Sequence, residues 1–192
     1  MSRLDSVVGN SSPVGLADQF EFVQRFARSQ RLPPRGLFRV IATDVRGPRR
    51  FSHTLFFSSL LAAPFYRELV AAHYTLPAPD KHGPFNAADL SPADFVAIEA
   101  PELMRRIDAH LGYRRYGCAP IPLARRRNVT EFIASLLDAH AIAFELVPCR
   151  WFSEPDNTVY PHEWSHAVLE FREYGIFDTL HRTFVCLMFA FD

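Results

Sequence analysis

Apolar residues at Leu16, Phe20, Val23, Phe26 and Ala27 recur at helical spacing, and Pro33, Pro34 and Gly36 close the segment, so a helix is predicted over 16–28. Leu37 to Val45 is a short apolar run bounded by the turn Arg46-Gly47-Pro48 and reads as a strand, with Phe51 to Phe57 as its hairpin partner. A second helix is predicted over 59–73, Pro64 falling in its first turns, where proline is best tolerated. Residues 75–91 are rich in turn formers without any period and read as a loop. Ser91-Pro92-Ala93-Asp94 and Ala100-Pro101-Glu102 each have the form of a helix start and predict two short helices ending at Gly112. Asn128-Val129-Thr130-Glu131 has the form of a capping box. The helix it opens carries Val129, Phe132, Ile133, Leu136 and Leu137 on one stripe. Strands are expected over 142–152 and 181–191, with a turn at 153–158 between them.

Taken in order, these elements predict an α+β fold, a mainly antiparallel sheet with helices segregated to one side. The chain has 192 residues, 48% of them hydrophobic. That fits a single compact domain over 15–192 behind a flexible N-terminus at 1–14, and it excludes a disordered chain. No run approaches the roughly 18 apolar residues of a membrane helix. The opening segment lacks the apolar stretch of a secretory signal, so a cytoplasmic location and no membrane partner are expected.

Charge changes this picture in one respect. The 21 basic and 21 acidic residues cancel, which argues against a dedicated nucleic-acid coat. Residues 1–127 nevertheless hold 18 basic and 11 acidic residues, and residues 128–192 hold 3 and 10. Gathered on one face, the acidic final third would attract a basic protein partner. Lys81 is the only lysine among the basic residues, an arginine bias that leans towards a GC-rich bacterial genome. Cys118, Cys149 and Cys186 are odd in number and widely spaced, as in a reducing compartment. Cys186 reads as a small buried hydrophobe. Cys118, in a turn near Arg114 and Arg115, is the thiol whose pKa nearby cations would lower.

His162-Glu163-Trp164-Ser165-His166 is an H-E-x-x-H pattern. On a helix its two imidazoles lie one above the other and can share a zinc ion, with the glutamate placed to deprotonate the metal-bound water. In these five residues the segment resembles the zincin metallopeptidases. That resemblance implies His162 and His166 as metal ligands and Glu163 as the catalytic base. The extended form of the motif is absent, because Leu169 and Arg172 stand where Gly and His belong. A third ligand then has to come from Glu173, Asp178, His181 or a residue upstream. The competing reading makes Trp164 to Arg172 a strand, which sets the two histidines ~13 Å apart and forbids a shared metal.

Nucleophile elbows, phosphate-binding loops and dinucleotide fingerprints are missing. The arginine loop at 113–127, with Arg114, Arg115, Arg125, Arg126 and Arg127 beside Tyr113 and Tyr116, has the chemistry that single-stranded nucleic acid favours. Phe56, Phe57 and Phe65 exceed the needs of one small core and are expected at a partner surface. Asn128 belongs to a formal glycosylation acceptor but is read as a helix cap. The leading expectation is a non-catalytic cytosolic protein that binds another macromolecule, of immunity-protein or antitoxin type by analogy, with no cofactor. A zinc-dependent hydrolase and a nucleic-acid binder are the alternatives.

Overall fold

The structure, a computed structural model, describes residues 19–32, 36–66, 81–82, 85–112, 120–147 and 170–191. Six strands form one antiparallel sheet in the order β1 (Glu21–Leu32), β2 (Gly36–Arg46), β8 (Thr183–Phe191), β7 (Glu170–Asp178), β6 (Ala141–Leu146) and β5 (Phe95–Ile98). A two-residue ladder, β3 (Lys81–His82) with β4 (Phe85–Asn86), stands apart. Among the described residues the longer helices are α1 (His53–Ala62), α2 (Ala100–Gly112) and α3 (Leu123–Ala134). The α+β architecture around an antiparallel sheet is therefore as the sequence pattern predicts.

Alternation along the central strands divides the apolar residues between two faces. On the first, Leu37, Ile41 and Val45 of β2, Phe171 and Phe177 of β7, and Phe184, Cys186 and Met188 of β8 pack under α1. On the second, Phe38 and Val40 meet Leu187, Phe189, Tyr174 and Ile176 under α2 and α3. The two longer helices thus share one side, and the shorter α1 covers the other. Both covers follow from the sheet centre, where β7 and β8 are apolar on alternate positions in both directions and cannot leave either face wet.

Several local expectations are corrected. Residues 21–32 form an edge strand rather than a helix, because β2 offers them eleven pairings from Glu21↔Arg46 to Leu32↔Gly36. Long-range pairing here overrides a coincidental 3.6 period. Phe51 to Phe57 is not the hairpin partner of β2. α1 starts inside it and buries Phe56, Phe57 and Leu60 completely. Phe56 meets Phe20, Phe22, Phe177 and Phe184 at centroid distances of 5.2, 5.1, 4.9 and 5.4 Å, while Phe57 stacks on Phe95 at 4.1 Å. These rings are core and not a partner surface.

α1 ends at Ala62, before Pro64. Ser91 and Asp94 do form their reciprocal contacts, with the Ser91 amide and hydroxyl donating to Asp94 Oδ2 at 2.7 and 2.9 Å. They open only a 3₁₀ turn that leads into β5, whereas Ala100 starts a full helix as predicted. α3 begins five residues before Asn128, after Pro122, so Asn128 is an exposed interior residue of that helix and not its cap.

Two glycines are required by close approach. Gly47 turns out of β2 at φ 122°, and a Cβ there would meet the Gln19 carbonyl oxygen at 2.5 Å. Gly175 lies mid-strand in β7, where a Cβ would meet the buried Phe184 ring at 2.7 Å. Gly175→Ala is therefore expected to destabilise the protein by about 1–3 kcal/mol, as overpacking does. Urea unfolding checks this, and an unchanged midpoint would mean that Phe184 repacks without loss.

Candidate functional site

At the centre of the first face, β7 places Glu173 among apolar neighbours with 2% of its surface exposed. Its Oε1 accepts the Tyr66 hydroxyl at 2.5 Å and the Cys186 thiol at 3.4 Å, and its Oε2 accepts His82 Nε2–H at 2.5 Å. Tyr66, His82 and Cys186 are each 1% exposed. The Tyr66 and His82 rings stack, with centroids 4.3 Å apart. Burial pushes the Tyr66 hydroxyl well above its ordinary pKa, and the Glu173 charge adds to the effect. The Cys186 thiol is raised by the same two causes in the same order. A protonated, enclosed thiol is a poor nucleophile. His82 Nδ1 is enclosed without a hydrogen-bond partner. Arg39, on the same face of β2, also has an enclosed Nε without an acceptor; burial lowers its pKa, opposed by Cys186. This buried node joins four strands and segments, and its carboxylate is fully engaged by the chain itself.

Glu173, one of the three sequence-suggested third ligands, is thus held by tyrosine, imidazole and thiol donors. The other two, Asp178 and His181, meet at the β7–β8 turn, where His181 Nδ1 donates to Asp178 Oδ2 at 2.6 Å. Asp178 Oδ1 accepts the Leu180 and His181 amides, both at 2.9 Å. Burial pushes the Asp178 carboxyl up, but the His181 amide and imidazole and the Leu180 amide outweigh it, and its pKa falls. Asp138 adds a third side chain of metal-ligand type, one ligand atom of each of the three lying within 4.8 Å of the others. His162, Glu163 and His166 lie outside the described residues, as do Cys118, Cys149, Arg114 and Arg115.

The remaining arginines of the predicted loop sit on α3 and serve different ends. Arg125 Nη1 donates to the Arg31 carbonyl oxygen at 2.8 Å, tying α3 to the end of β1. Arg126 pairs with Asp108 at 2.9 Å. Arg127 is exposed and has no partner among the described residues. Of the acidic residues of the final third, Glu145 and Glu173 are buried, while Glu154, Asp156, Glu163 and Asp192 lie outside the described residues.

Among the described residues an open concavity lies elsewhere, between β1 and α3. It is a groove of about 580 Å³, its floor and walls formed by Phe26, Arg28, Gln30, Phe38, Val40, Val129 and Phe132. A bulge at Arg25 creates it. Phe22 opposes Val45 and faces α1, but the register shifts between Gln24 and Phe26, so Phe26 opposes Ala42 and turns to the second face. α3 does not reach over this corner, and Phe26 remains 41% exposed. Arg28 and Arg31 are exposed and without a carboxylate partner among the described residues, whereas Arg25 pairs with Asp44 at 3.5 Å. A smaller depression of about 370 Å³ between α2 and strands β6 and β7 contains Arg105 and Arg106, but Glu102 binds both and Glu145 binds the second. Their hydrogen bonds lower the Glu102 pKa to about 2. Phe26 and Arg28, two apart in the sequence, come to one side of the groove only because residues 21–32 form a strand; the helical expectation sets them on different faces.

No protein-family model matches the chain, and no curated protein matches it. Among solved structures, the crystal structure of MAF1 from citrus aligns over 82% of this chain and 90% of that one, at 9% identity and a TM-score of 0.37. A likeness that loose constrains neither the fold nor the function.

Two outcomes follow from the node. Tyr66→Phe removes one donor and should cost about 1–2 kcal/mol in urea unfolding, while Glu173→Leu strands three buried donors and should cost about 3 kcal/mol or more. Equal losses would show that the donors do not depend on the carboxylate. The raised Cys186 pKa stabilises the fold fully below about pH 8.5, where the unfolded thiol is still protonated, and that contribution is lost as pH rises further. In a Cys118→Ser, Cys149→Ser background the folded protein should resist Ellman's reagent, and Cys186→Ser should flatten the alkaline decline in stability. Rapid labelling of the folded protein would contradict the enclosure.

Proposed function

We propose that this is a non-catalytic, cytosolic binding protein that takes a segment of another protein into the groove between β1 and α3, and that the segment is acidic with apolar residues among the acids. The observation that carries this reading is the pairing of exposed Phe26 with uncompensated Arg28 at an open groove of about 580 Å³. Aromatic and arginine side chains supply most of the energy at protein interfaces, and this corner offers both.

Charge supports an acidic rather than a basic partner. Arg28, Arg31 and Arg127 lack carboxylates among the described residues, while two acids of the final third are inside. The site chemistry among the described residues favours binding over catalysis, because the Glu173 cluster is enclosed and its thiol and phenol are held protonated. The nucleic-acid alternative has less support, since Arg125 and Arg126 are engaged within the fold.

A labelled random copolymer of glutamate, valine and serine tests the reading by fluorescence anisotropy. It should bind, be released as the Debye length shrinks from about 10 to 3 Å, and bind at least about tenfold more weakly to Arg28→Glu and to Phe132→Asp. Arg49→Glu, away from the groove, should leave binding intact. Stronger binding of single-stranded DNA, or of a lysine copolymer, would overturn the assignment.

A further inference from the structure

The groove adjoins a sheet edge, and this fixes how a segment would lie in it. β1 runs for 12 residues, and among the described residues its only sheet neighbour is β2. The opposite edge, β5, has four residues. An edge of that length, unpaired among the described residues, presents alternate amides and carbonyls to any strand laid beside it. Resting on the proposed groove function, we infer that β1 is a strand-addition site: the partner segment binds in extended form, as a seventh strand of the sheet next to β1.

Register then dictates the partner's chemistry. Beyond the bulge, the register puts the side chains of Phe26, Arg28 and Gln30 on the face of Phe38 and Val40, whereas Ala27, Ser29 and Arg31, all exposed, share the face of Leu37, Arg39 and Ile41, Ser29 also bordering the groove. A strand added beside them presents its own side chains alternately to the two sides. Residues on the groove side meet Phe26 and, across the groove, Phe132, and are apolar. Residues on the other side lie beside the exposed Ala27, Ser29 and Arg31, where the Arg31 charge favours acids. The recognised segment is therefore an alternation of apolar and acidic residues, about six long, matched to the stretch between the bulge at Arg25 and the Arg125 bond to Arg31.

A second copy of this chain is a poorer occupant. Pairing β1 with itself brings Arg25, Arg28 and Arg31 of two copies together, with only Arg25 compensated by Asp44. Like charges opposite one another across strands destabilise the pairing. The three arginines and the bulge thus keep the edge from self-association while leaving it open to an acidic strand.

Three synthetic peptides of about eight residues and equal composition separate the possibilities. One alternates glutamate and valine, one places them in two blocks, and one is the alternating peptide with backbone N-methyl groups on every second residue. By anisotropy the alternating peptide should bind about tenfold more tightly than the blocked one, and N-methylation in one of the two phases should abolish binding. Arg31→Glu, on the side where the acids of the added strand lie, should weaken it to a similar degree, with circular dichroism confirming the fold. If all three peptides bind equally to the native protein but not to Arg28→Glu, strand addition is overturned while the groove reading stands. Equal binding by Arg28→Glu overturns both. A dimer in sedimentation that the alternating peptide disperses would instead assign the edge to a second copy and overturn the acidic partner.

Discussion

A carboxylate in the middle of a hydrophobic sheet is the constraint on which the first face depends. Taking a carboxylate out of water is costly unless donors replace its hydration, and Glu173 sits on a central strand with almost no exposure. Its donors come from three places: Cys186 on the neighbouring strand, Tyr66 shortly after α1, and His82 on β3. The chain on both sides of residues 67–80 must therefore come down on the sheet over β7. That brings the end of α1, and with it Phe56, Phe57 and Leu60, onto the rings of β1, β7 and β8. The polar node and the aromatic cluster fix each other's position. Burial of the rings excludes water from the carboxylate, and the carboxylate determines where the covering segments lie.

The second face is governed by a different balance. α2 and α3 cover the centre of the sheet through Leu103, Ile107, Leu111, Val129 and Ile133, and the Arg125 bond to the Arg31 carbonyl draws α3 to one end of β1. Among the described residues, what lies between is left open because the bulge at Arg25 rotates Phe26 towards a place that no described helix fills. A one-residue irregularity thereby moves an aromatic side chain from the core side to the surface of a groove. It also interrupts a flat edge, which protects long edge strands against unwanted pairing.

Electrostatics connects the two faces to function. Glu145 and Glu173 are consumed by internal contacts with Arg106, Tyr66 and His82, so these two acids of the final third are turned inward. The arginines of β1 keep their charge at the surface, Arg28 at the groove and Arg31 on the opposite face of the strand. At the β7–β8 turn, His181 and Asp178 bind each other and two backbone amides, which shapes the turn between the two central strands.

The sequence by itself determined the fold class, the strands β2, β6 and β8, the start of α2 at Ala100-Pro101-Glu102, and the buried character of Cys186. These depend on contacts close in the chain or on unmistakable apolar runs, for which local pattern is sufficient. It misread β1, because Phe20, Val23 and Phe26 suit a helix as well as a bulged strand, and only pairing with β2 distinguishes them. It read Ser91 to Asp94 correctly as a cap but not as the prelude to a strand. It included Glu173 among possible metal ligands and could not reveal its companions, since Tyr66 and His82 lie 107 and 91 residues away in the chain. Tertiary structure alone decided which acids were buried, which arginines were left uncompensated, and which corner of the sheet stayed open. Each of these is a balance between segments distant in sequence, and no local period records it.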